Sequence, residues 1–381
     1  MAPMALPHKE GRRSTATIAD GCGRNGTHLL NCHCAKADLR SRMLGNSPNL
    51  DASMSADSAA VESEELAWFG DRFSAVADNI ELVIQGKRET VELVTACLLS
   101  GGHALLEDVP GVGKTLLAKS LARSIDCTYQ RIQFTPDLLP SDVTGVSVWD
   151  RETTQFVFRS GPVFANVVLG DEINRAGPKT QAALLEAMEE RQVTVDGVTR
   201  PLDLPFIVIA TQNPIEHEGT YPLPEAQLDR FMMRLGMGYP SRAKELEMLD
   251  THGEHSTYDD LTPVIHADDV VKMAGIANRV HTSDVVRGYL IDIAEATRTH
   301  PDLLLGASPR ATLFLQRATR TRAAILGRTY VTPDDVKVML EPILNHRMLL
   351  QPEAQMRGTS IAKTIEDVAG SVPVPGSQGA P

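Results

Sequence analysis

Apolar positions follow two different rhythms along this chain. From residue 61 they recur every three or four positions: Leu66, Phe69, Phe73, Val76 and Ile80, then Val91, Val94, Ala96 and Leu98. That spacing predicts two helices, each with one buried face. Gly101-Gly102 ends the second. Short continuous apolar runs then begin at Ala104-Leu105-Leu106 and return at Asn166–Leu169 and Phe206–Ala210, while Tyr129–Phe134 alternates. These read as strands, with helix-forming runs after Thr115 and from Gly177-Pro178 to Gln192 between them. Strands alternating with helices predict an α/β fold built on a parallel sheet flanked by helices.

Two stretches interrupt this alternation with hairpin patterns. Val146–Trp149 and Gln155–Phe158 flank a turn at Asp150–Thr154, and Val193–Val195 and Val198-Thr199 flank Asp196-Gly197. Asp-Gly is a strong two-residue hairpin signal. Beyond Tyr239-Pro240 the strand patterns stop. Helices are expected from Ser241, over 267–280 and 285–299, and after Ser308-Pro309 and Thr332-Pro333, where a capping hydroxyl precedes proline at the first helical position. The expected organisation is a disordered tail over 1–60, an αβα domain over 61–239, an all-helical second domain over 240–350, and a second disordered tail over 351–381. Met43 or Met54 would serve as a later start.

Composition narrows the partners. The chain has 381 residues, 42% of them hydrophobic, and a formal net charge of −12. That balance speaks against general affinity for nucleic acid or an anionic membrane. No apolar run approaches the ~20 residues that span a bilayer. A cytoplasmic protein without membrane insertion is therefore expected. Of the five cysteines, Cys97 and Cys127 read as small core residues. Cys22, Cys32 and Cys34 lack the usual spacing of zinc ligands.

The candidate chemistry lies between the first strand and the helix that follows it. Asp108-Val109-Pro110-Gly111-Val112-Gly113-Lys114-Thr115 sits in the strand–loop–helix context of a phosphate-binding loop. Glycines let backbone N–H groups turn toward phosphate oxygens, and the helix N-terminus adds its positive dipole end. Lys114 would reach the β- and γ-phosphates of a bound nucleotide, and Thr115 would ligate Mg²⁺. Asp108 departs from the motif, which asks for glycine at that position. The strand 166–172 ends in Asp171-Glu172, and the strand 206–210 runs into Thr211-Gln212-Asn213-Pro214. Ligands bind at the carboxyl ends of parallel strands, so Asp171, Glu172 and Asn213 converge on the edge that carries the loop. Alternation along a strand would point only one of the two adjacent carboxylates at the ligand.

Together with Thr135–Asp142, Asp171–Ala176 and Leu228-Asp229-Arg230-Phe231, these segments resemble the MoxR family of AAA+ ATPases over residues 61 to 350. Aspartate at the place of Asp108 is common in that family. The resemblance implies an AAA+ P-loop NTPase core with two β-hairpin insertions, one before sensor 1, followed by a helical lid. It implies ATP held by Pro110, Gly111, Val112, Gly113, Lys114, Thr115, Leu116 and Asp171, with Thr115 and Asp171 serving Mg²⁺. Glu172 would be the general base, Asn213 sensor 1, Arg230 the arginine finger and Arg310 sensor 2, in cis or in trans. Arg175 and Arg234 are alternative arginines. The backbone of Val83–Gly86 would meet the adenine. Plain ion pairs are the competing reading, with Asp229 or Glu225 for Arg230 and with Asp302 for Arg310.

The family also implies a homo-oligomeric ring, a hexamer, that remodels or matures a protein client beside a partner bearing a von Willebrand factor A domain. The competing functions are the ATPase subunit of a magnesium-chelatase-like metal-insertion machine, a DNA-acting motor and a nucleotide-binding switch. The acidic charge and the lack of Lys or Arg at the Asp196-Gly197 tip weigh against DNA.

Overall fold

The computed structural model describes residues 61–213, 220–240, 242–251 and 258–375. The tail over 1–60, the helix start at Ser241 and the turn residue Pro214 lie outside the described residues. Helices α1 (Ser63–Glu81) and α2 (Arg88–Leu99) form where the spacing of apolar residues predicts them and turn Leu66, Phe69, Phe73 and Val91 inward. Then follow β1 (Ala104–Glu107), α3 (Lys114–Ser124), β2 (Tyr129–Gln133) and the short α4 (Pro140–Thr144). The hairpin β3 (Gly145–Asp150) and β4 (Gln155–Ser160) precedes β5 (Val167–Asp171) and α5 (Pro178–Glu190). A second hairpin, β6 (Gln192–Val195) and β7 (Val198–Pro201), leads to β8 (Ile207–Gln212), α6 (Glu225–Leu228) and β9 (Met233–Leu235).

Five of these strands make one parallel sheet in the order β2-β5-β8-β1-β9. The chain leaves β1 for the far edge at β2, returns inward through β5 and β8, then passes over β1 to β9. The order reverses at β1, and the crevice for a ligand in such a sheet opens at that switch. Both insertions form separate two-stranded antiparallel ladders. Asp196 and Gly197 have φ of 53° and 76°, as the tight hairpin turn requires.

β9 has no signature in the hydropathy pattern, because three residues with Arg234 at the centre show no period. It forms because β1 offers it a partner. The Met232 N–H donates to the His103 carbonyl at 2.8 Å, and Met233 then pairs with Ala104. The two backbones come so close that a Cβ on Gly102 would lie 2.5 Å from the Met232 Cβ. Only glycine fits there. His103 itself is buried and ties three elements together. Its Nδ1 accepts the Val208 N–H at 2.9 Å, and its Nε2 donates to the Met188 carbonyl at 3.1 Å. Burial, aided by nearby Arg191, pushes the imidazole down to about 3, so it is neutral at physiological pH.

The remaining chain is α7 (Arg242–Thr251), α8 (Ala267–Arg279), α9 (Asp284–Thr299), β10 (Leu303–Leu305), α10 (Pro309–Ile325), α11 (Pro333–Leu344), β11 (Leu349–Leu350), α12 (Pro352–Met356) and α13 (Ile361–Ser371). Ser308 caps α10 by accepting the Ala311 N–H at 3.2 Å, and Thr332 and Asp335 form a reciprocal capping box at α11. This second part is helical, as expected, with β10 and β11 forming a short antiparallel ladder.

The expectation of a disordered tail from 351 is corrected. Helices α12 and α13 follow, and α13 packs on α9 and α11 through Ile365 and Val368. The Pro and Gly that end the chain masked a short amphipathic helix just before them. Among the described residues no helix is long and apolar enough to cross a membrane.

A chain ended at Gln351 would uncover the lid face beneath Ile365, Val368 and Val372. Each buried aliphatic side chain stabilises by about 1.5–3 kcal/mol. Thermal unfolding of that truncated protein should begin several degrees below the full chain. An unchanged unfolding temperature would mean that α13 adds nothing to the lid.

Candidate active site

The phosphate loop joins the carboxyl end of β1 to α3. Gly111 and Gly113 have φ of 86° and 97°, which allows the loop to fold back over the start of α3. No atom lies within 4 Å of a Cβ built on Gly111, so the backbone there borders open space. The first N–H groups of α3 have no partner within the helix and face the loop, as a phosphate needs. At Gly113 a Cβ would instead lie 3.7 Å from both Ile84 Cδ1 and Met237 Cε. The Val83–Gly86 turn and the segment after β9 therefore flank the same loop.

Lys114 donates from Nζ to the Asp108 carbonyl at 2.6 Å. Burial pushes its ammonium down from the ordinary lysine value, while the carboxylates of Asp108, Asp171, Glu172 and Glu107 pull it back up. The arrangement suits an anion. A triphosphate would take up the lysine's charge and accept the inward N–H groups, and Thr115 and Asp171 could share Mg²⁺ with its oxygens. Among the described residues no group of three or more His, Cys, Asp and Glu could hold an ion on its own.

The unexpected aspartate of the loop has a structural task. Asp108 Oδ2 accepts the N–H of Met237, at 2.7 Å, and that of Gly238. Its Oδ1 accepts the Val109 N–H at 2.8 Å. Nearby, Lys87 Nζ donates to the Tyr239 carbonyl at 2.8 Å, and the Thr90 hydroxyl to the Gly236 carbonyl at 3.1 Å. The residue where the motif asks for glycine thus fastens the phosphate loop to the segment that leads into the lid.

Asp171 and Glu172 do not alternate as a strand would have them. Glu172 has φ 57° and ψ 51°, a left-handed conformation that ends β5 and re-aims its side chain. Such a conformation costs a non-glycine residue of order 1–3 kcal/mol. Thr211 of β8 holds it in place: its hydroxyl accepts the Glu172 N–H at 2.8 Å and donates to Asp171 Oδ1 at 2.6 Å. Asp171 Oδ2 also pairs with Arg131 at 2.6 Å. Glu172 Oε2 accepts from Gln133 at 2.7 Å and pairs with Arg175 at 3.3 Å. Asn213 follows β8 directly and is buried. Sequence reasoning missed Thr211, Arg131 and Gln133. A hydroxyl in an otherwise apolar buried strand was the available signal for Thr211.

Arg230 and Arg310 lie at the other end of the sheet. Arg230 precedes β9, whose first residue pairs with the first residue of β1. Its Nε pairs with Glu189 of α5 at 3.0 Å, and Arg310 pairs with the same carboxylate. The neighbouring residue, Met188, receives the His103 ring, which again marks the amino end of β1. Among the described residues, Arg230 pairs with neither Asp229 nor Glu225, and Arg310 does not pair with Asp302. Glu189 takes both arginines, and Asp302 pairs with Arg357. Arg234 pairs with Glu107 at 2.6 Å, on its own side of β1.

A parallel sheet in this order, with a phosphate loop and strand-end carboxylates on one edge and a helical lid after it, defines an ATPase of the AAA class. Residues 103–233 match the model of the ATPase family associated with various cellular activities, and 295–368 match the AAA lid domain. The chain is 49% identical over 298 residues to the uncharacterized protein YeaC of Bacillus subtilis, covering 78% of this chain and 93% of that one. It is 41% identical over 306 residues to the chaperone MoxR1 of Mycobacterium tuberculosis, covering 78% and 81%. The crystal structure of an inferred ATPase from Cytophaga hutchinsonii superposes with a TM-score of 0.77 at 39% identity, covering 82% of this chain and 97% of that one. The chain belongs to the MoxR family of AAA+ ATPases. A magnesium-chelatase subunit ChlI homolog from Methanocaldococcus jannaschii is more distant, 26% identical over about half of each chain (49% and 51%).

Thr211→Val keeps the shape of the side chain and removes both hydrogen bonds. Losing one such contact is worth about 1.5 kcal/mol, roughly tenfold in rate. Steady-state kinetics should therefore show kcat about tenfold lower with ATP affinity nearly kept. Parental kcat would mean that Glu172 is held by other contacts.

Proposed function

We propose that this protein hydrolyses ATP at the interfaces of a homo-oligomeric ring and uses the turnover for chaperone-like remodelling or maturation of a protein client. The observation that carries this reading is the division of the site between two ends of one sheet. Lys114, Asp171 and Glu172 gather at the carboxyl edge, while Arg230 and Arg310 gather on Glu189 at the amino edge. β1 alone spans roughly 10 Å between them. Within one chain those arginines therefore lie a strand's length from a γ-phosphate held by the loop. A neighbouring subunit can bring them to it, which favours a role in trans for both.

In this reading the loop backbone from Gly111 to Leu116 and Lys114 hold the phosphates, and Thr115 and Asp171 hold Mg²⁺. An Mg²⁺ held by these two residues would offset the negative charge of the phosphates. Asp171 must exchange Arg131 for that role, and Glu172, oriented through Thr211, polarises the attacking water. Asn213 would hydrogen-bond the water or the γ-phosphate. The neighbour's Arg230 would stabilise charge on the transferred group. The ring is a hexamer in our reading, and the partner a protein with a von Willebrand factor A domain, as the family suggests. The name of the Mycobacterium tuberculosis relative, a chaperone, supports a protein client. So do the apolar side chains exposed on the first hairpin, where Trp149 and Phe156 form an edge-to-face pair.

Equilibrium binding of a fluorescent ATP analogue, followed by turnover, tests the site. Lys114→Ala should lose tight binding. Glu172→Gln should bind as the parent does and lose at least ~10²-fold in turnover, the usual scale for a general base. Equal affinity in Lys114→Ala and the parent would refute the phosphate-loop assignment.

A further inference from the structure

The arginine-bearing segment is gripped from the lid by a residue with no role in the account above. Arg347, between α11 and β11, is buried, its side chain 1% exposed. Each N–H of its guanidinium has a place to go. Nε donates to Asp229 Oδ1 at 2.8 Å. Nη1 donates to the Met232 carbonyl at 3.1 Å and to that of Ile343. Nη2 donates to the Asp229 carbonyl at 3.1 Å and to that of Phe231. The Phe314 ring of α10 lies 5.1 Å from the guanidinium carbon, and neighbouring His346 donates from Nε2 to the Phe231 carbonyl at 3.0 Å. The backbone from Asp229 to Met232, with Arg230 inside it, is thus pinned at three carbonyls and one carboxylate.

The same carboxylate reaches the second arginine. The Ser308 hydroxyl donates to Asp229 at 2.9 Å and caps α10, whose second residue is Arg310. Arg310 Nη1 lies 4.0 Å from Asp229 Oδ2. Contacts therefore run from Arg347 through Asp229 to Ser308 and Arg310, then through Glu189 to Arg230.

We propose that Arg347 is a positioning residue for hydrolysis, holding the Asp229–Met232 segment so that Arg230 and Arg310 are presented together to a neighbouring subunit's nucleotide. The inference rests on the reading that these arginines act in trans. A planar guanidinium with five donors suits this work, and an ammonium does not, because its three donors radiate from one atom. Burial lowers the Arg347 guanidinium to about 10 against the pull of Asp229, so it stays charged at neutral pH and the pair with Asp229 persists.

Arg347→Lys tests this, because the ammonium can still meet Asp229 but cannot span three carbonyls. ATP affinity should stay within about twofold of the parent while kcat falls at least about tenfold, as for an interaction made only in the transition state. The decisive assay is co-expression of two variants in one ring. Glu172→Gln subunits keep a sound Arg230, so they should restore turnover to Arg347→Lys subunits well above either variant alone. Arg230→Ala subunits should restore nothing.

Asp229→Asn, which keeps a neutral acceptor, should repeat the pattern and serves if Arg347→Lys fails to fold, as thermal unfolding would reveal. Parental kcat in Arg347→Lys, or ATP affinity falling together with kcat, would overturn the proposal. So would failure of Glu172→Gln to rescue Arg347→Lys or Asp229→Asn while it rescues Arg230→Ala. If Glu172→Gln does not rescue Arg230→Ala either, the trans reading itself is wrong, and the proposal falls with it.

Discussion

The pairing of β1 between β8 and β9 is the constraint on which the site depends. β8 brings Thr211 and Asn213 beside the phosphate loop at the carboxyl edge. β9, drawn onto the opposite side of β1 by the His103 carbonyl, starts two residues after Phe231 and so fixes Arg230 at the amino edge. One strand therefore separates the groups that would bind ATP from those that would stabilise its transition state. A parallel strand presents different groups at its two ends, and here both ends carry candidate site residues. The close fit at Gly102 and the neutral, buried His103 show how tightly that strand is seated.

The lid is tied to both ends of this arrangement. At the carboxyl edge, Asp108 takes two backbone N–H groups of the segment entering the lid. At the amino edge, Arg347 takes the carbonyls around Arg230. The same Asp108 lies in the loop that would hold phosphate, and its carbonyl receives Lys114. The loop that would hold phosphate is thus tied through one residue both to Lys114 and to the segment entering the lid.

Much of this was legible in the sequence, for physical reasons. Buried parallel strands appear as continuous apolar runs, so β1, β5 and β8 stood out, and with them the edge where Asp171, Glu172 and Asn213 end. Asp-Gly marked the second hairpin because few other pairs adopt two positive φ angles. β9 was not legible, since three residues cannot display a period and its formation depends on β1. Helix α13 was hidden by the Pro- and Gly-containing residues that follow it. Strand alternation misled at Glu172, where a left-handed turn held by a threonine overrides it. The meeting of Arg230 and Arg310 on Glu189 joins positions far apart in the chain, and no local pattern encodes it.

The central claim is that an ATP site is complete only between two subunits. The most direct measurement is the ATP hydrolysis rate per subunit against protein concentration, with Glu172→Gln as the blank and particle size followed in the same samples. A per-subunit rate that rises with concentration as rings assemble and then levels off is the expected result. Full turnover at the lowest concentrations, in samples that remain monomeric with ATP present, would contradict it.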